Sequence, residues 1–79
     1  MVIIKNIQIV GNVVSFEYYP EDRCKKGVFK FNQETKEVIE HIKSEENEWN
    51  AYIYHAYLTV LKIIEEGKEI PKTKMVAWY

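Results

Sequence analysis

With 79 residues, 47% of them hydrophobic and 29% charged, the chain has the make-up of one ordinary globular domain spanning residues 1–79 and is neither disordered nor collagen-like. Eleven basic against twelve acidic residues leave a net charge of −1, too little to draw in a polyanion or an anionic membrane without a local patch. The single cysteine, Cys24, excludes an intramolecular disulfide framework and points to a reducing compartment, so the expected address is the cytoplasm.

The opening residues MVIIKNIQIV look apolar, but Lys5, Asn6 and Gln8 interrupt them too early for a signal-peptide core or a membrane span. They read instead as a strand over Val2–Val10, paired through Gly11-Asn12 with a second over Val13–Tyr19, because Gly supplies the positive φ that a two-residue hairpin turn needs. Setting Val10 opposite Val13 places Ile9/Val14 and Ile7/Phe16 on one face and Gln8/Ser15 and Asn6/Glu17 on the other. Tyr19–Lys26, which includes Pro20 and five charged residues, reads as a polar loop.

Gly27–Asn32 alternates Phe29 and Phe31 against Val28 and Lys30, and the turn Gln33-Glu34-Thr35 leads back into Lys36–Ile42. Two registers compete there. Phe31 opposite Val38 turns Glu40 toward the core; Phe31 opposite Ile39 brings in His41 and sets Lys30 across from Glu40, and the second is preferred because it buries no unpaired carboxylate.

Ser44–Gly67 has the period of one long amphipathic helix, with Trp49, Ile53, Ala56, Tyr57, Val60, Ile63 and Ile64 on one side and His55, Thr59, Lys62 and Glu66 opposite. Ser44 or Asn47 is the expected cap, Glu45, Glu46 and Glu48 suit the positive end of the helix dipole, and Gly67 with Pro71 supplies the stop. Lys68–Thr73 is a polar connection, and Met75–Tyr79 reads as a final strand. The expected fold is a two-layer α+β domain in the order β-β-β-β-α-β: an antiparallel sheet of about five strands with one long helix on one face. If the last strand docks beside the first, the spatial order is 5-1-2-3-4.

No catalytic, cofactor or metal motif emerges: there is no Gly-rich phosphate cradle, no G-x-S-x-G and no H-E-x-x-H, and His41, His55 and Cys24 lack the paired spacing of a structural zinc site. The basic cluster Arg23, Lys25 and Lys26 could touch phosphates and stands beside Cys24, but Glu21 and Asp22 adjoin it and cancel much of its potential. More informative are Tyr52, Tyr54, Leu58 and Leu61, which widen the apolar arc of the helix to roughly 240°, whereas a core-facing stripe needs little more than 100°. Of these, Tyr54, Leu58 and Leu61 form their own i, i+4, i+7 line and are the candidate contact surface for a protein partner or a second copy. The sequence therefore points to a small protein-interaction or regulatory module without chemistry of its own. A weak nucleic-acid binder using the Arg23–Lys26 loop is the alternative, and a small enzyme or enzyme subunit the third.

Overall fold

Gly11, at φ 61°, reverses the chain between β1 (Val2–Val10) and β2 (Val13–Pro20) as its lack of a Cβ allows. A second hairpin joins β3 (Gly27–Asn32) to β4 (Val38–Ile42), where the Asn32 side chain accepts from the backbone N–H of Glu34 and Thr35 and so shapes the turn. The helix α1 (Asn50–Glu65) and a last strand, β5 (Thr73–Val76), complete the chain in a computed structural model that describes residues 1–21 and 24–78. The strands form one antiparallel sheet in the order β4-β3-β2-β1-β5, with α1 against one face: the two-layer α+β arrangement. Among the described residues no helix is long and apolar enough to cross a membrane.

Simple alternation fails in β1. Val10/Val13, Ile9/Val14 and Gln8/Ser15 pair as expected, but the register then slips by one residue, so that Lys5 and not Asn6 faces Glu17. Asn6 takes φ 55°, a left-handed conformation that asparagine tolerates better than most residues, and forms a bulge. The bulge changes which parity points at the helix. Val2 and Ile4 thereby become fully buried, while Ile7 still packs against the core from the far side. In β4 a similar slip at Ile39 realises both competing registers in turn: His41 faces Phe29 and Glu40 faces Lys30, after which Phe31 pairs with Val38.

Several boundaries differ from the alternation. Pro20 is not in a loop; it ends β2 opposite Val2, fully buried, in a position next to the strand end where its missing donor is tolerated. β4 begins at Val38 and not at Lys36, which sits at φ 67° in the turn. β5 covers Thr73–Val76 and not Met75–Tyr79, because it pairs with Val2–Lys5, the part of β1 that precedes the bulge; Tyr79 lies outside the described residues.

The helix differs most. It begins at Asn50, six residues later than Ser44, with Trp49 at the N-cap position making no side-chain cap and no acid in the first turn. Its end matches the expectation: Gly67 at φ 66° allows Gly67 N–H to reach Ile64 C=O and Lys68 N–H to reach Ile63 C=O, the paired bonds of a Schellman stop. The buried residues are Tyr52, Ala56, Val60 and Ile63. At 100° per residue their mean direction lies about 45° from that of the seven expected core positions. Trp49, expected inside, is 62% exposed, and Tyr52, expected on a flank, is buried. Trp78 explains the rotation. Beyond β5 it returns to α1, stacks on His55 with ring centroids 4.1 Å apart, and meets Tyr52 at 5.7 Å and Trp49 at 6.4 Å. This aromatic cluster draws the Tyr52–His55 flank inward, so His55 and Thr59 are half-buried and not fully on the solvent side.

Candidate functional site

Two places bring unusual chemistry together. The first is polar and lies where β2, β4 and the β4–α1 connection meet. The Tyr18 side chain is fully buried, yet its Oη sits 2.7 Å from His41 Nε2 and 2.9 Å from both carboxylate oxygens of Glu48. Glu48 Oε1 also accepts from the Ser44 N–H at 2.8 Å and from Ser44 Oγ at 2.7 Å. Since the phenol has one proton and the carboxylate only accepts, Tyr18 donates to Glu48 and accepts from His41 in its Nε2–H tautomer.

This ordering explains both titration shifts. Burial, reinforced by the bond to Glu48 and its negative charge, raises the Tyr18 phenol well above the ordinary tyrosine range. Burial lowers the His41 imidazole; Glu48 pulls against that shift and Lys43 adds to it. The same bonds account for the late helix start: Glu48 is expected at the helix dipole, but its carboxylate is committed to Tyr18 and Ser44, and Glu48 N–H closes a turn on Glu45 C=O. A histidine, a tyrosine and a glutamate in series resemble an acid/base relay. Here, however, the phenol is enclosed and the carboxylate accepts three donors, so the arrangement acts as a clamp holding the β4–α1 connection to the end of the sheet.

The clamp has a pH signature. A histidine whose folded pKa is lowered binds fewer protons folded than unfolded, so stability falls as pH drops from about 6.5 toward the folded value. The raised phenol acts at the other end: unfolded Tyr18 ionises near pH 10 while the folded phenol does not, so stability declines above that pH. Urea midpoints of His41→Gln are expected to hold between pH 7 and pH 5 better than those of the parent. Tyr18→Phe should cost about 1.5–3 kcal/mol at neutral pH, the worth of a hydrogen bond to a charged group, and lose less than the parent above pH 10. Identical pH profiles for all three proteins would remove the clamp from the account.

The second place is apolar. α1 lies over β1, β2 and β5, and it reaches the β3 side through Tyr57, whose ring meets Phe31 edge-on at 4.9 Å and Phe29 at 5.6 Å. Beside it, toward the edge strand β4, a groove of about 320 Å³ is lined by Phe29, Val38, Ile53, Tyr54 and Tyr57, with Lys36 and Asn50 contributing polar groups. Tyr54 and Val38 are each 59% exposed and Leu58, one turn along the helix, 43%. Leu61 is half-buried and packs against the core. The rotation of the helix therefore turns Tyr54 and Leu58 almost straight away from the sheet, roughly 175° from the buried direction, and leaves Leu61 at the margin of the core.

The other sequence candidates do not converge. Arg23 lies outside the described residues, Lys25 is exposed, and Lys26 Nζ is held 2.9 Å from Glu17 on the open face of the sheet. Cys24 is exposed. Among the described residues no three His, Cys, Asp or Glu side chains are placed to hold a metal ion. Sequence reasoning brought His41 inward but missed its link to Tyr18 and Glu48; the i, i+4 spacing of Ser44 and Glu48 was the one available signal. The groove was missed because Phe29 and Val38 come from different strands, and no periodicity within one segment brings them to Tyr54. No protein-family model matches the chain, and no curated protein or solved structure is significantly similar to it.

Proposed function

We propose that this chain is a single-domain cytoplasmic module that acts by binding another protein surface through the outer face of α1 and the groove beside β4, without chemistry of its own. The observation that carries this reading is the Tyr54–Leu58 stripe: two large apolar side chains on the side of the helix opposite the core, continuous with an apolar groove. Solvated apolar area of this kind on a small protein marks contact surfaces, and tyrosine is enriched in them. Among the described residues the groove lining offers one lysine and one asparagine but no carboxylate, histidine or cysteine, which favours recognition over catalysis. Pairing of Lys26 with Glu17 further weakens the basic loop as a phosphate site.

Amine-specific cross-linking in the native cell tests the location. Lys36 and Lys62 border the proposed surface, whereas Lys5, Lys26 and Lys30 lie on the opposite, open sheet face. Intermolecular links are expected at Lys36 and Lys62 and are expected to disappear in Leu58→Asp, which should stay folded because the position is 43% exposed. Links confined to Lys5, Lys26 and Lys30 would move the interface to the other face and defeat the reading.

A further inference from the structure

We infer that the surface just described is occupied by a second copy of this chain, with the two α1 helices antiparallel across a two-fold axis passing near Leu58. This rests on the proposed interaction role and names its partner. The outer stripe reads Asn50, Tyr54, Leu58, Leu61, Glu65, all within about 80° of one another around the helix. It is self-complementary when reversed. With Leu58 facing Leu58, Tyr54 of one copy meets Leu61 of the other and Glu65 meets Asn50, because the residues of each pair stand at nearly equal distances along the helix from the axis, about 10 Å for Glu65 and 12 Å for Asn50.

The charges favour the same arrangement. Asn50 is the first residue of α1, and its end of the helix has neither a side-chain cap nor an acid in the first turn. Glu65 stands in the last turn, where a carboxylate opposes its own helix dipole. Antiparallel docking carries each Glu65 to the positive helix end of the other copy and to Lys36, which shares the groove with Asn50. Each helix thus receives an acid at the end where its own Glu48 is committed to Tyr18 and Ser44. A parallel pairing would set Glu65 against Glu65 and offer neither benefit.

A dimer sets an area that this surface has to meet. A standard interface takes about 800 Å² from each partner, and homodimer interfaces are about 65% apolar, so each copy has to supply about 500 Å² of apolar surface. Val38, Tyr54 and Leu58, 43–59% exposed, together with the outer parts of the half-buried Ile53, Tyr57 and Leu61, are the apolar residues that supply it.

Sedimentation velocity on the purified chain, up to about 100 μM, is the test. The parent is expected to be dimeric at the upper concentrations and Leu58→Asp monomeric with an unchanged circular-dichroism spectrum. Glu65→Lys should weaken the dimer at least tenfold, and Lys36→Glu/Glu65→Lys should recover most of that loss. Independently of folding effects at charged positions, Leu58→Cys in a Cys24→Ser background should form a disulfide-linked dimer under mild oxidation, and Lys72→Cys in the same background should not. A parent that stays monomeric throughout, a dimer indifferent to Leu58→Asp, or a double charge variant no better than Glu65→Lys would each overturn the inference. If the parent is monomeric but links from Lys36 and Lys62 to other proteins persist in the cell, only the second copy is lost and the interaction role stands.

Discussion

Gly27→Ala should be among the most damaging single substitutions in this chain, although it adds one methyl group. Gly27 pairs with Tyr18 across β2 and β3, and a Cβ built at Gly27 would run into the ring atoms Cζ and Cε1 and the phenol oxygen, closer than real Cβ contacts come. The ring cannot swing aside cheaply. Tyr18 is fully buried, packs edge-on against Phe16, and has its oxygen tied to Glu48 and His41. Overpacking costs about 1–3 kcal/mol, and breaking the bond to the carboxylate adds about 1.5–3 kcal/mol. The expected loss is therefore about 3–5 kcal/mol, against a total stability on the order of 4–12 kcal/mol for a chain of this length. Urea denaturation reads it directly, and a variant within ~0.5 kcal/mol of the parent would mean that the Tyr18 ring does not lie over Gly27.

Phe31→Ala is expected to lose a similar amount by the opposite route, a cavity. Phe31 is fully buried, and its ring is met edge-on by Tyr57 at 4.9 Å, with Phe29 6.0 Å away. Phenylalanine-to-alanine changes in cores cost about 3–5 kcal/mol, since neighbours relax only partly into the space. Here the loss also takes away the main contact through which α1 reaches the β3 side of the sheet. Val38→Ala, at an exposed position on the next strand, is the control and should stay within ~0.5–1 kcal/mol. If Phe31→Ala costs no more than Val38→Ala in thermal denaturation, the helix is not docked on β3 through Tyr57.

These two positions also show where local pattern suffices and where it stops. The Phe29/Phe31 alternation marks one face of β3, and that face is indeed in the core. Nothing near Gly27 in the chain announces that a tyrosine from another strand lies over it. The glycine could equally have served a turn.

What the sequence determines by itself is what depends on neighbours in the chain: the Gly11-Asn12 hairpin with Ile9 opposite Val14, the Gly67 helix stop, the antiparallel succession of β1 to β4, and an apolar arc on α1 too wide for one sheet. Each follows from a glycine conformation or a side-chain period. The tertiary structure decided the rest, because the competing local states differ by little energy. Val2, Ile3 and Ile4 are all apolar, so alternation carries no parity there, and only packing against Tyr18 and α1 selects the bulge at Asn6. The Ile39 bulge is similar: it lets His41 and Val38 both face the helix side while Glu40 stays across from Lys30. Glu48 could have capped α1, but a buried phenol is a stronger claim on a carboxylate than an exposed helix end, since an unsatisfied buried hydroxyl costs more than a missing cap. The rotation of α1 depends on Trp78, which is 26 residues from Tyr52 in the chain and reaches it only once β5 has paired with β1.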